Sequence, residues 1–263
     1  MLDGKPKSDE CVIIIKAQPH RSSQYFETVC CAGVGRDGQW RRQYPIPFRN
    51  LKDEQKFTRW QWISYSFVPP KDDKRKESQK VVASTLVAGR QLKKGERASF
   101  LNPLVRGSLL EANEKRDSLA LIRPSEVRLR AIEKSAEDLK EETRKHASLA
   151  SQLSFLEEFE DVEPMAPCRM QFYVDWKDQD GKKHSQQCDD WETAAAFNRF
   201  ERLYDESKAI EILQQKYEVD YFKAGLVLGF STHSRRNVEF GAQNQWLLVS
   251  LIRLDEAKQA SLF

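Results

Sequence analysis

Short strand-like segments separated by turns fill the first ninety residues, and this spacing constrains the fold more than any other feature of the sequence. Cys11–Ala17 is rich in β-branched residues, and Trp60–Val68 alternates in the way of a half-buried strand. The other segments with this pattern are Glu27–Gly35, Gln39–Tyr44 and Val81–Val87. Strands of this length and spacing predict a small β-barrel or sandwich.

The rest of the chain has a different pattern. Residues 135–160 are rich in Glu, Lys, Ala and Leu and predict a helix or helix pair, with a candidate linker at residues 163–167. A hairpin then turns at Asp178–Gly181, and a helix starts at Trp191, capped by Asp189 or Asp190. The residues of this helix that we expect on one apolar face are Phe197, Phe200, Leu203 and Tyr204.

The charge of the chain is distributed unevenly. Over all 263 residues, 43 Lys and Arg face 40 Asp and Glu, for a net charge of +3. Residues 1–100 carry +9, residues 101–165 carry −4 and residues 166–263 carry −2. A basic segment of this kind favours an anionic partner, most commonly nucleic acid. The alternative is a set of basic residues scattered over a solvated surface.

The cysteines and the hydropathy exclude several classes of protein. The five cysteines form no C-x-x-C pair, which argues against a disulfide framework and a zinc ribbon and favours a reducing cytoplasm. No apolar run approaches the roughly 20 residues that span a bilayer. The basic N-terminus has no apolar segment behind it, so we expect no secretory signal. We therefore expect a cytoplasmic protein without a membrane partner.

Aromatic and basic residues interleave over residues 25–62, most densely in Trp40–Arg49 and Lys56–Trp62. Single-stranded nucleic acid requires flat rings that stack bases and cations that follow the phosphates, and arginine serves both purposes. On a strand, Trp40 and Arg42 would share one face. The alternative is a β-domain core built from aromatic residues, with arginines extending to solvent at its rim.

Several stretches of this sequence resemble one family. They are Lys16–Gly33, Gly38–Arg49, Asp73–Ser78, Asp190–Glu192 and the late Leu228-Gly229. Together they are similar to the prokaryotic dual OB-containing domain proteins, most closely over residues 11–80. The resemblance implies two OB-like barrels, a prokaryotic origin and association with nucleic acid in defence or mobile-element systems. The helical segment 135–160 is an insertion relative to a minimal pair of barrels.

We therefore expect a β-rich α+β protein with two OB-like β-barrel units, helical decoration and a helical insertion. The expected boundaries are residues 1–132 for a basic OB-like barrel, 133–165 for an acidic helical segment, and 166–263 for an α+β OB-like domain. The expected function is non-catalytic binding of single-stranded DNA or RNA, without a metal or other cofactor. The predicted binding residues are Trp40, Arg41, Arg42, Tyr44, Phe48, Arg49, Arg59, Trp60, Arg75, Arg235 and Arg236.

Two other functions stay open. In the first, the protein is an adaptor, or accessory subunit of a defence complex, that docks a protein partner through the helical segment 135–160. In the second, Asp175, Asp190 and Glu192 hold Mg²⁺ for phosphodiester cleavage, although a turn and a helix cap explain these residues without a metal and are favoured.

Two smaller clusters have structural explanations. His184 and Cys188 lie roughly 13 Å apart along a strand, too far for a nucleophile and its base. In the loop Asp73–Ser78, carboxylates four residues apart give a weak metal signal, and a network of Asp, Arg and Glu that braces the loop is favoured.

Overall fold

The computed structural model describes residues 5–22, 26–71, 73–153, 166–232 and 245–255 of the chain. The fold is mixed α+β and rich in strands, as the sequence predicts. The strands are β1 (Lys7–Lys16), β2 (His20–Ser22), β3 (Phe26–Val34), β4 (Trp40–Ile46), β5 (Gln61–Val68), β6 (Ser78–Gln91), β7 (Val105–Arg106), β8 (Leu119–Ile122), β9 (Glu126–Glu133), β10 (Met170–Lys177), β11 (Lys183–Gln187), β12 (Leu226–Thr232) and β13 (Trp246–Arg253). The helices are α1 (Lys94–Leu101), α2 (Leu109–Glu114), α3 (Ala136–Leu153), α4 (Trp191–Leu203), α5 (Glu206–Gln214) and α6 (Phe222–Gly225), with a π-helical segment at Gln215–Tyr221.

The chain divides into two compact units. Unit 1 comprises residues 1–91 and 132–171, and unit 2 comprises residues 92–131 and 172–263. The expected first boundary was residue 132, whereas the contacts first divide the chain between residues 91 and 92. Unit 1 also contains α3, which confirms a helix within the predicted segment 135–160. Leu149 and Leu153, two of its apolar positions, have no described side chains, so the adaptor hypothesis stays a prediction.

Unit 1 is built on a closed five-stranded barrel, which confirms the barrel expected for this part of the chain. The ring runs β1-β5-β6-β4-β3 and closes because β3 also pairs with β1. The β4–β6 pairing is parallel, and the other pairings in the ring are antiparallel. The short β2 adds to β3 outside the ring. This strand number and closure are consistent with an OB-like barrel.

The β-branched run at the start of the chain forms the centre of this barrel. Cys11 to Lys16 of β1 are buried, and Val12, Ile13 and Ile14 have no exposed surface. The strand β3 approaches β1 closely at Gly33, where an added Cβ would lie 2.5 Å from the carbonyl oxygen of Val12. A larger residue at Gly33 would therefore force the two strands apart.

A chain of hydrogen bonds runs through the barrel interior. The Tyr65 hydroxyl donates to Gln79 Oε1 at 2.5 Å, and Gln79 Nε2 donates to Asp9 Oδ2 at 2.7 Å. Gln43 Nε2 donates to Tyr65 Oη at 3.0 Å and contacts Cys11 Sγ at 2.9 Å. Burial raises the pKa of the Cys11 thiol to about 12, so this sulfur stays protonated at neutral pH. These paired polar groups fix one register of β1, β4, β5 and β6.

Unit 2 contains two separate sheets. One has the order β11-β10-β9 and the other the order β13-β12-β8-β7, joined by an isolated bridge between Cys188 and Leu248. The hairpin of β10 and β11 and the start of α4 at Trp191 are confirmed. A second OB-like unit is not confirmed. Within the part of the chain that is described, no helix is both long enough and apolar enough to cross a membrane.

Candidate nucleic-acid interface

The strand β4 carries the first predicted binding residues. Gln43 has no exposed surface and points into the barrel, where it contacts Tyr65. Because side chains alternate along a strand, its neighbours Arg42 and Tyr44 belong to the outer face. Tyr44 is 46% exposed and Trp40 is half-buried. The outer face of β4 therefore presents one well-exposed aromatic ring.

Arg41 is held by two carboxylates at one end of the barrel. Its Nε lies 2.6 Å from Asp9 Oδ2, and its Nη2 lies 2.9 Å from Asp37 Oδ2. Burial opposes ionisation of Asp37, but the hydrogen bond and charge of Arg41, together with backbone hydrogen bonds, outweigh it and lower the pKa of that carboxyl. Asp9 is also the acceptor for Gln79, so Arg41 extends the interior network. Arg41 therefore forms hydrogen bonds within the barrel, whereas the sequence predicted that it would contact phosphate.

Arg42 is buried under the loop that joins β5 to β6. Its Nη2 lies 3.5 Å from Glu77 Oε1, and its main-chain N–H donates to the Glu77 carbonyl at 2.8 Å. Burial and the nearby Arg75 lower the pKa of Arg42 to about 10, which leaves it charged at neutral pH. Only 9% of Arg42 is exposed. The expected surface role of Arg42 is therefore replaced by a contact within the fold.

Two further predicted arginines lie in ion pairs. Arg49 Nη1 lies 2.7 Å from Glu27 Oε2, a carboxylate that is almost fully buried. Arg75 Nε donates to Asp73 Oδ1 at 2.8 Å, and the Ser78 hydroxyl donates to Asp73 Oδ2 at 2.7 Å. Burial opposes ionisation of Asp73, but these hydrogen bonds lower its pKa to about 2. The favoured explanation, a network that braces this loop, is confirmed for Asp73 and Arg75.

The tryptophans at the start of β5, Trp60 just before it and Trp62 within it, belong to the core. Trp60 and Trp62 are each 7% exposed, and Arg59 is half-buried. Trp60 adopts a φ of 69°, in the left-handed region that side chains rarely occupy, and its N–H donates to the Ile13 carbonyl at 2.8 Å. The guanidinium of Arg36 lies 4.4 Å from the centroid of the Trp62 ring. Trp60 is therefore not placed to stack a base, because its ring is covered.

Phe48 lies in the short helical turn after β4 and is half-buried. Its ring meets Phe57 edge-on with centroids 5.0 Å apart, and Lys16 Nζ lies 5.1 Å from its centroid. Arg235 and Arg236, the remaining predicted residues, lie outside the described residues.

Sequence reasoning missed Lys80 and the lysines of the loop before β6. Lys80 of β6 is the direct partner of Tyr44 in the parallel pairing of β4 with β6, and Lys80 is half-buried. Lys71, Lys74 and Lys76 are exposed in the loop before β6. The sequence marks this loop as highly charged, but its position beside β4 depends on a pairing between strands more than thirty residues apart.

Asp175 and Asp190, which the nuclease hypothesis assigned to one metal site, lie in different surroundings. Asp175 accepts hydrogen bonds from Arg130 at 2.6 Å and from Ser185 at 2.6 Å. Asp190 has no exposed surface and accepts from the Thr193 hydroxyl at 3.0 Å. Among the described residues, no group of three or more His, Cys, Asp or Glu is placed to hold a metal ion.

His184 binds a carboxylate and not a thiol. Its Nε2 lies 2.9 Å from Asp178 Oδ2, and its ring stacks on Trp176 with centroids 4.2 Å apart. Cys188 is fully buried, and this burial raises the pKa of its thiol. The burial of Cys188 agrees with the structural role expected for it, whereas His184, expected at the surface, is partly buried and paired with Asp178 within the hairpin.

Two family models match the chain. A domain of unknown function, DUF8757, matches residues 107–263, and a second domain of unknown function, DUF8758, matches residues 7–104. No curated protein and no solved structure matches the chain.

Proposed function

We propose that this chain, which belongs to the DUF8757 family, binds single-stranded DNA or RNA without catalysis, through the outer surface of the barrel of unit 1. One observation carries the proposal: the exposed ring of Tyr44 lies beside Lys80 on adjacent strands. An exposed ring next to a cation is the unit from which sequence-tolerant binding of single strands is built, because the ring stacks a base and the cation meets a phosphate.

The predicted arginines and the loop lysines of unit 1 divide into two classes. Arg41, Arg49 and Arg75 each face a carboxylate, so their charges are locally balanced. Lys74 and Lys76 are exposed in the loop between β5 and β6, and no ion pair is recorded for either within the described chain. Lysines of this kind release counterions when they meet phosphates and give salt-dependent affinity. Lysines, in place of the predicted arginines, would then contact the phosphate backbone.

The position of these residues on the barrel also supports the proposal. When the five strands of the ring are counted in chain order, β3 and β4 are the second and third, and the loop with Lys74 joins the fourth, β5, to the fifth, β6. OB-folds bind oligonucleotides on the face of their second and third strands and with the loop between the fourth and fifth. Tyr44 and Lys74 lie in these places if the barrel is OB-like. The resemblance of residues 11–80 to the dual OB-containing proteins agrees with this assignment.

Fluorescence anisotropy with labelled single-stranded and duplex DNA and RNA, each over a salt series, tests the proposal. We expect single strands to bind more tightly than duplexes, and Tyr44→Leu to weaken binding by about 1–3 kcal/mol through loss of one stacked base. The matched control is Tyr204→Leu, which removes a ring that is 61% exposed at the end of α4 in unit 2.

Two results would contradict the proposal. One is a wild-type protein that binds none of the four nucleic acids at low salt. The other is a loss of affinity in Tyr44→Leu that Tyr204→Leu reproduces, since the effect would then not depend on the barrel surface.

A further inference from the structure

The three-stranded sheet of unit 2 is amphipathic. Along β10, Phe172, Val174 and Trp176 are buried, whereas Tyr173, Asp175 and Lys177 between them are partly exposed. In β11, Lys183 and Ser185 are exposed and lie directly opposite Lys177 and Asp175. One face of this sheet therefore belongs to the core, and the other face is polar and open to solvent.

A hydrogen-bonded cluster holds one ring on this open face. Arg130 of β9 donates to Asp175 through Nε at 2.6 Å and Nη2 at 3.0 Å, and Nη2 also donates to the Ser185 hydroxyl at 3.1 Å. The Ser185 hydroxyl in turn donates to Asp175 at 2.6 Å. The guanidinium of Arg130 lies 5.4 Å from the centroid of the Tyr173 ring. The ring and the guanidinium are thus oriented before any ligand arrives, which lowers the entropy cost of binding.

The open face carries more cations than carboxylates. Its charged residues are Arg128, Arg130, Lys177 and Lys183 against Glu126 and Asp175. Lys177 and Lys183 are cross-strand partners, and like charges directly opposite each other on a sheet destabilise it. Glu126 lies 3.2 Å from Lys177, while Lys183 is exposed and has no recorded ion pair in the described part of the chain. The excess of cations destabilises the free protein, and an anionic ligand bound to this face would relieve that repulsion.

We propose that this face, formed by β9, β10 and β11, is a second binding surface for single-stranded nucleic acid. Tyr173 stacks a base, Arg130 supports that ring, and Arg128 and Lys183 contact phosphates. Sheets that bind RNA use exposed aromatic residues in this way, and arginine planes add further stacking. The inference goes beyond the function proposed for unit 1, since it assigns a ligand to a different sheet.

The test compares two sets of variants in the full chain. Tyr173→Leu removes the ring, and the double variant Arg128→Gln with Lys183→Gln removes two exposed charges without cutting into the core. We expect Tyr173→Leu to weaken binding of oligouridine or oligothymidine roughly tenfold. We expect the double variant to reduce the magnitude of the salt slope by about 1.4, or about 0.7 for each phosphate contact. The matched control is Lys223→Gln, an exposed lysine on α6 of the same unit.

A second readout keeps the proposal testable if Tyr173→Leu fails to fold. An oligonucleotide with a photoactivatable uridine, irradiated on the wild-type protein, is expected to crosslink to a peptide that contains Tyr173. Sheet variants that bind like wild type, together with no crosslink in β10, would overturn this inference while leaving the surface at Tyr44 intact.

Two other outcomes are also decisive. If the sheet variants lose binding of oligonucleotides and Tyr44→Leu does not, the result would support the binding surface on the sheet. It would also contradict the function proposed for unit 1. Binding of polyglutamate that the double variant abolishes, without any oligonucleotide crosslink, would overturn the inference in favour of an acidic protein partner.

Discussion

Tyr44 and Lys80 lie side by side on the parallel pair β4–β6, the one parallel pairing in the ring of the barrel. The two residues are far apart in sequence, and the β5–β6 loop with its exposed lysines leads directly to Lys80. The pairing of β4 with β6, which the ring needs to be continuous, therefore also assembles the candidate surface. A change that disrupts closure should remove both the fold of unit 1 and the neighbourhood of Tyr44 together.

The double variant Lys74→Gln with Lys76→Gln is expected to lower affinity for single strands and to reduce the magnitude of the salt slope by about 1.4. Both lysines are exposed, so thermal stability should not change. The control is Lys140→Gln with Lys223→Gln, two exposed lysines on α3 and α6. Anisotropy titrations at several salt concentrations measure the slope, and equal slopes for both double variants would rule out phosphate contacts in the loop.

Arg41→Gln is expected to act on stability and not on the salt slope. It removes hydrogen bonds to Asp9 and Asp37 and leaves Asp9 without its cation, at a cost of about 1–3 kcal/mol in the free energy of unfolding. Urea unfolding measures this cost. Arg144→Gln, which breaks an exposed ion pair on α3, serves as the control and should unfold like wild type. A flattened salt slope in Arg41→Gln with unchanged stability would restore the original prediction for this residue.

Asp73 predicts a specific dependence of stability on acid. Because its pKa falls from 3.8 to about 2 in the folded protein, its contribution is complete above the unfolded pKa and is lost as the pH falls from about 4 to about 2. The contribution is on the order of 1 kcal/mol, reduced by solvent screening. Urea unfolding of wild type and Asp73→Asn should differ at neutral pH and converge near pH 2.

The control for this prediction is Asp53→Asn, which removes a carboxylate that is 94% exposed. A difference between wild type and Asp73→Asn that stays constant down to pH 2 would show that the ionisation of Asp73 has no part in stability.

Two glycines with positive φ should respond very differently to alanine. At Gly225, φ is 109° and an added Cβ would lie 2.3 Å from the carbonyl oxygen of Leu254. At Gly38, φ is 71° and no atom lies within 4 Å of the added Cβ. We expect Gly38→Ala to cost about 1–2 kcal/mol from the backbone alone and Gly225→Ala at least about 3 kcal/mol. Thermal melts rank the two, and equal losses would refute the role of the contact with Leu254.

Local pattern was sufficient for the strands of five or more residues and for α3, α4 and α5, but it did not predict the short strands β2, β7 and β8 or the helices α1 and α6. The β-branched run in β1 and the turn in the β10–β11 hairpin are signals carried by neighbouring residues, and both elements form where they were predicted. The apolar face predicted for α4 was wrong at its end, because Leu203 and Tyr204 are each 61% exposed. Helical spacing places residues on a common face but does not specify how far the packing neighbour extends.

The sequence does not show which of the predicted binding residues the fold pairs or buries. The sequence suggests that Arg41 and Arg49 are unpaired cations in a basic segment. In the fold, Arg41 pairs with Asp9, 32 residues away in sequence, and Arg49 pairs with Glu27, 22 residues away. Trp60 fits the alternation of a strand, but its left-handed backbone turns the ring into the core. Such pairings depend on the closure of the barrel, which composition and periodicity do not encode.

The division of the chain limits how the protein can be dissected. Because unit 1 uses residues 1–91 and 132–171, a fragment that stops near residue 132 keeps part of unit 2 and loses α3. No single cut separates the two units, because a fragment that holds all of unit 1 (residues 1–171) also carries residues 92–131 of unit 2. Separate expression of unit 1 requires joining residue 91 to residue 132 through a designed linker, and the same operation is required of any evolutionary event that would separate the two units.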